Sequence, residues 1–186
     1  MMQRVLMLVL FVYSVLVCAD DTVLKLYRPF GEALEQVSPG IKNTLPGQCV
    51  SQSQLIVRED AWRCQAEGRV YDPCFVKEAG KRTEALCPQS PWVGDSVQIL
   101  VNSPLNNDQH SRLDMSTAFP WAIELANGEH CQAAASDEVY EGMPVRYRCS
   151  KQNKLIGHIQ RCKAAWSMLE KTSTGVETVI FSKAWF

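Results

Sequence analysis

Few residues in this chain carry the means for catalysis. Three histidines occur, His110, His130 and His158, with no GxSxG elbow and no HExxH pair. His158 and Cys162 stand four apart, a spacing that could set a base beside a thiol. On a strand, such residues share a face but lie roughly 13 Å apart, too far for one to activate the other. Glu59, Asp60, Asp72 and Glu124 could supply a carboxylate pair for glycoside hydrolysis, which needs two such groups about 5–9 Å apart. Five tryptophans could stack on sugars or fill a partner's pocket. Trp121 and Trp166 fall in alternating apolar segments and read as core. Trp92, between Pro91 and Val93, reads as the exposed one. No recognisable catalytic set emerges, and no cofactor is expected.

The eight cysteines are the stronger signal. No CxxC pair occurs and no histidine sits at finger spacing, so a metal site is not expected. Cys18 lies in an apolar leader. The other seven read as a disulfide framework with one thiol left over. Spacing leaves the connectivity open, since such a set admits about 100 pairings. The set we expect is Cys64–Cys74, Cys131–Cys149 and Cys49–Cys87, with Cys162 free. The first would close a hairpin and contribute roughly 3 kcal/mol.

That hairpin lies in the central stretch from Cys49 to Cys87. Leu55-Ile56-Val57 is a short apolar run suited to a strand. Trp62 and Cys64 alternate with Arg63, Gly68 can make a turn, and Arg69-Val70-Tyr71 returns. Asp72-Pro73 marks the exit, because proline removes a ladder donor. Arg58, Glu59, Asp60, Arg63 and Asp72 admit two readings: a recognition surface that also includes Trp92, or ion pairs around a disulfide knot. Exposed charge clusters contribute little to stability.

Residues 1–19 carry one arginine, an apolar run from Val5 to Val17 and Ala19 as a small residue for cleavage, the pattern of a secretory signal peptide. The run is too short for a membrane span, so none is expected in the mature chain. Lipidation of Cys18 is the weaker alternative, because Val17 is bulky. Residues 20–48 read as a loosely structured lead-in, with a helical turn over Phe30–Val37. Residues 49–186 read as one disulfide-bridged domain. A net charge of −1 with no basic block argues against nucleic acid as partner.

Further along, Trp121, Ile123 and Leu125 alternate with Ala122, Glu124 and Ala126 ahead of Asn127-Gly128, a type I′ hairpin signal. Val145, Tyr147 and Cys149 alternate with Arg146 and Arg148, which would face out. Residues 102–117 read as an exposed, mobile loop. Short strands separated by turns predict a mainly β fold, a single antiparallel sandwich or barrel-like domain stabilised by disulfides.

Ala61-Trp62-Arg63-Cys64, Asp72-Pro73-Cys74-Phe75, Pro120-Trp121-Ala122 with Glu124 through Gly128 and Cys131, and Tyr147-Arg148-Cys149 occur in order. In these segments, spread over residues 49–186, the chain resembles a group of secreted bacterial proteins of unknown function. The resemblance implies an exported, cysteine-bridged domain and no particular activity. Cys162 departs from the pattern. The expected role is a secreted or periplasmic, non-catalytic binding or envelope-associated module with a protein or glycan partner. It would present the Arg58–Asp72 region and the 102–117 loop. Two alternatives are a secreted hydrolase using carboxylates or a histidine, and an enzyme inhibitor presenting the 64–74 loop.

Overall fold

The computed structural model describes residues 20–30, 39–77 and 80–186, and among them no helix occurs. The leader and the helical turn expected after Phe30 lie outside the described residues. The strands are β1 (Val23–Lys25), β2 (Gly40–Pro46), β3 (Gln48–Gln52), β4 (Ala61–Ala66), β5 (Arg69–Val76), β6 (Glu84–Pro88) and β7 (Asp95–Leu100). There follow β8 (Ala122–Leu125), β9 (His130–Ala133), β10 (Val139–Tyr140), β11 (Met143–Cys149), β12 (Lys154–Gln160), β13 (Ser167–Lys171) and β14 (Val176–Trp185). They form two sheets. The first runs β2-β7-β6-β5-β4-β3. The second runs β14-β13-β12-β11-β9-β8 and closes into a six-stranded antiparallel barrel, because β14 also pairs with β8.

Barrel closure follows from the length of β14. Val176 to Ile180 pair with β13, and Phe181 to Trp185 pair with β8. Past Ile180 the other edge of β14 would be bare. Val23 to Lys25 occupy it, parallel, and the Thr22 hydroxyl donates to the Phe181 carbonyl at 2.9 Å. β2 likewise lies parallel on β7. The 20–48 segment, expected as a loose lead-in, therefore contributes an edge strand to each sheet. At its end Gly47 is needed, since a Cβ there would run into the Gln65 carbonyl and Ile99.

The β4–β5 hairpin forms around Glu67 and Gly68, both at positive φ (49° and 73°), as a type I′ turn requires. The Asn127-Gly128 turn differs from its sequence reading. Only Gly128 has positive φ, at 79°. The Gly128 amide bonds the Leu125 carbonyl and Leu125 N–H donates to Glu129 O at 2.8 Å, a type I turn finished by a left-handed glycine.

β5 does not stop at Pro73. Trp62 faces Cys74 while Cys64 faces Tyr71, so Asp72 and Pro73 together oppose Arg63 in a bulge, where a strand interior tolerates proline. The register of β3 on β4 and of β5 on β6 decides the bridges. Cys64 lies opposite Cys49 of β3, and Cys74 lies beside the Phe75–Leu86 pair that aligns it with Cys87. The disulfides are Cys49–Cys64, Cys74–Cys87 and Cys131–Cys149. The expected Cys64–Cys74 and Cys49–Cys87 bridges do not form, because Cys64 lies opposite Tyr71 rather than Cys74 across β4 and β5, and β3 and β6 are not neighbours. Cys131 faces Cys149 across β9 and β11. Cys162 is an exposed free thiol.

Two apolar clusters result. One fills the first sheet, with Trp62, Val76, Ala85, Ile99 and the two bridges. The other fills the barrel and takes in Ala61 and Phe75 from the first sheet and Ile56 from the β3–β4 loop. Tyr27, Phe75 and Trp121 meet at this seam, with ring centroids 5.3 to 5.8 Å apart. No helix among the described residues is long and apolar enough to cross a membrane.

Candidate functional site

The charged cluster read from the central stretch divides into separate places. Arg58 and Asp60 are buried, at 2% and 4% exposure. Arg58 Nε stands 2.5 Å from Asp60 Oδ1. Its terminal nitrogen donates to the Tyr27 and Phe186 carbonyls at 2.7 and 2.9 Å, and its guanidinium lies 4.8 Å from the Phe75 ring centre. The pair thus ties the β3–β4 loop to the N-terminal segment and the last residue, and no outside partner can reach it. Burial pushes the Asp60 carboxyl up, and the Arg58 charge opposes that shift.

Glu59 turns the other way. Its carboxylate accepts from Leu113 N–H at 3.1 Å. Burial raises this carboxyl, but backbone hydrogen bonds together with Arg58 and Arg112 outweigh it and hold the group below its ordinary value. Asp72 accepts from the Ser53 hydroxyl and, at 3.0 Å, from Gln54 N–H; burial still leaves it raised. Arg63, half-buried, acts on Asp72 through its charge. Trp92 stacks on His130 at 4.2 Å and meets Trp185 edge-on at 5.6 Å, half-buried in the seam. These six residues do not converge on one open surface. Glu124 is engaged as well, by Lys183 at 2.9 Å and by the Ser182 hydroxyl. Each carboxylate considered for hydrolysis is thus bound to its own neighbours.

The 102–117 loop, expected to be mobile, is pinned along its length. Trp62 Nε1 donates to Asn107 at 3.1 Å, His110 Nδ1 lies 2.9 Å from the Glu59 carbonyl, and Gln52 donates to the Ser111 carbonyl at 2.7 Å. Pinned in this way, the loop runs from the first sheet onto the barrel and leaves a cleft beneath it.

This cleft, of about 330 Å³, is the site with the clearest chemistry. Leu55, Ile56, Phe119, Ala133 and Tyr147 give it an apolar floor, and Arg112 and Arg146 stand at it. The Arg146 guanidinium lies 4.9 Å from the Phe119 ring centre, and Arg161 reaches the same ring at 5.7 Å and Trp166 at 4.8 Å. Arg161 donates to the Ala118 carbonyl at 2.5 Å, and burial lowers its pKa. The Nε atoms of Arg146 and Arg161 are buried and lack a hydrogen-bond partner. The acid in the lining is Asp114. Its carboxylate is already occupied by the Ser116 hydroxyl at 2.6 Å and by Thr117 at 3.2 Å, and the Ser116 bonds hold its carboxyl below the ordinary value. Tyr147, wholly buried, donates its hydroxyl to the Pro120 carbonyl at 2.8 Å and is pushed upward by desolvation. The arrangement can receive an anion at the guanidinium groups and apolar surface below them.

Arg112, Phe119 and Arg146 were missed as site residues. Arg146 alternates outward on its strand like Arg148, and the two look alike in sequence. The structure separates them: Arg148 pairs with Glu138 at 3.1 Å, while Arg146 lies against Phe119 on the incoming loop. The sulfurs of Cys64, Cys74 and Cys87 lie within 4.8 Å of one another, but all belong to bridges and are not thiolate ligands. No family model, curated protein or solved structure matches the chain.

Proposed function

We propose that the chain is a non-catalytic binding module, exported to the periplasm or beyond, whose ligand site is the cleft between the pinned loop and the barrel. The ligand presents a carboxylate next to an apolar group, on a partner protein or glycan. The observation that carries this is the Arg146 guanidinium, which lines the cleft beside Arg112 over the apolar floor and whose buried Nε lacks a hydrogen-bond partner. Buried donors are normally satisfied, and a carboxylate meets a single guanidinium such as that of Arg146 in the fork geometry that arginine offers. Three disulfides fit an oxidising compartment, as does the resemblance to exported cysteine-bridged proteins. Titration with uronate oligosaccharides and with acidic peptides tests the reading. Arg146→Ala should weaken the binding by roughly tenfold or more, while Arg148→Ala leaves it almost unchanged. Equal loss in both variants, or no binding in either ligand series, would sink it.

One observation favours a second reading, that of an inhibitor. The β4–β5 tip is exposed, with Val70 at 50%, and both its strands are held by bridges, Cys49–Cys64 and Cys74–Cys87. Loss of enzyme inhibition in Val70→Asp, with Arg146→Ala unaffected, would select it.

A further inference from the structure

We propose that the foot of the barrel is a calcium site built from Glu129, Glu170 and Asn153. Glu129 follows the β8–β9 turn, Asn153 closes the β11–β12 turn, and Glu170 points inward from β13. Both carboxylates are buried, each at 2% exposure. Their oxygens lie within 4.8 Å of each other and of Cys149 Sγ, a sulfur already bonded to Cys131. Glu170 Oε1 is buried and has no hydrogen-bond partner. Glu129 is better provided for, with Lys151 N–H at 2.9 Å and Asn153 Nδ2 at 3.4 Å. The Lys151 ammonium is 3.9 Å away, on a side chain 67% exposed.

Two carboxylates this close, away from water, cannot both stay ionised without a positive charge between them. A proton, the Lys151 ammonium or a cation from solution must balance them, and Glu170 Oε1 is the oxygen left without a partner. Several features favour a cation of the calcium type. Two oxygens held by one Ca²⁺ at about 2.3–2.6 Å each are separated by no more than about 5 Å, which suits this pair. The long Asn153 contact can be exchanged for its side-chain oxygen by turning the amide, a substitution that leaves the backbone in place. All available donors are hard oxygens, which suit Ca²⁺ rather than zinc. Glu177, opposite Glu170 across β13 and β14, adds negative potential from an exposed position. Ser150, Lys151 and Gln152 above the pair are exposed, so water can complete the coordination. With two carboxylates as the charged ligands, the affinity falls in the range of extracellular modules, about 10⁻⁴–10⁻³ M.

The test is calorimetric titration of CaCl2 into the chelator-treated full chain at neutral pH, with thermal unfolding in parallel. The wild type should bind one ion in the stated range, and 10 mM CaCl2 should raise its melting temperature by a few degrees. Glu170→Gln removes one charge but keeps the shape, so it should fold and lose at least tenfold in affinity; Glu129→Gln should do the same. MgCl2 should have the weaker effect. Absence of both heat and thermal shift in the wild type would overturn the proposal. So would an undiminished response in Glu170→Gln, or a melting temperature that rises on acidification and ignores calcium, which would assign the place to a proton.

Discussion

Asp60 and Glu170 are two buried carboxylates with opposite company. Asp60 sits at the seam with the Arg58 guanidinium against it. Glu170 sits at the barrel foot with the Glu129 carboxylate beside it. Burial pushes both carboxyls up, but the neighbouring charge pulls Asp60 back and drives Glu170 further. What matters is therefore which charge shares the cavity. The first site is internally balanced and holds three parts of the chain together. The second is unbalanced and asks for something from solution.

The largest effect should come from unbalancing the first site. Arg58→Ala strands Asp60 in the seam and also takes a donor from the Tyr27 and Phe186 carbonyls, the latter keeping only the Tyr27 N–H. Breaking a buried pair by removing one partner costs about 3–5 kcal/mol. A denaturant midpoint should fall accordingly, with residues 22–27 losing amide protection first. A cost under about 1 kcal/mol would mean that the seam does not depend on this pair.

Relieving the second site should work in the other direction. Glu170 takes up its proton more readily folded than unfolded. Its contribution is therefore intact below the ordinary glutamate value, about 4.3, and is lost as pH rises through the elevated folded value. Without calcium, Glu170→Gln should be more stable than the wild type at neutral pH, by about 1 kcal/mol, and the advantage should vanish near pH 4. Melting curves from pH 3.5 to 7.5 in chelator measure this. A difference that grows toward acid pH would show that Glu129 does not burden Glu170.

Sequence reading reached the local half of this picture. The hairpin from Ala61 onward is legible because alternation, Gly68 and the returning strand are neighbours in the chain. So is the pairing of Cys131 with Cys149, which sit at the ends of alternating segments. The other bridges depend on how β3 lies on β4 and β6 on β5, and no alternation within one segment reveals that cross-strand register. The parallel edges of β1 and β2 join segments far apart and leave no periodic trace. Charges near Arg58 are visible as a cluster, yet nothing local says that Arg58 and Asp60 go inward while Glu59 stays at the surface. For the cleft the reason is the same: Arg146 is distinguished from Arg148 only by Phe119, brought in by a separate loop.

The smallest effect separates two sources of positive charge at the barrel foot. Lys151 is the ammonium near Glu129, but at 3.9 Å and on a side chain 67% exposed its attraction is screened, and such pairs contribute under about 1 kcal/mol. Lys151→Ala should thus lower the midpoint by only about 0.5 kcal/mol in low salt, and by nothing measurable in 1 M NaCl. Its calcium affinity should rise slightly, since a competing cation is gone. A loss of more than about 1.5 kcal/mol that persists in high salt would make Lys151 the resident counter-charge. The barrel foot would then be balanced from within, like the seam, and the contrast between Asp60 and Glu170 would collapse into one design.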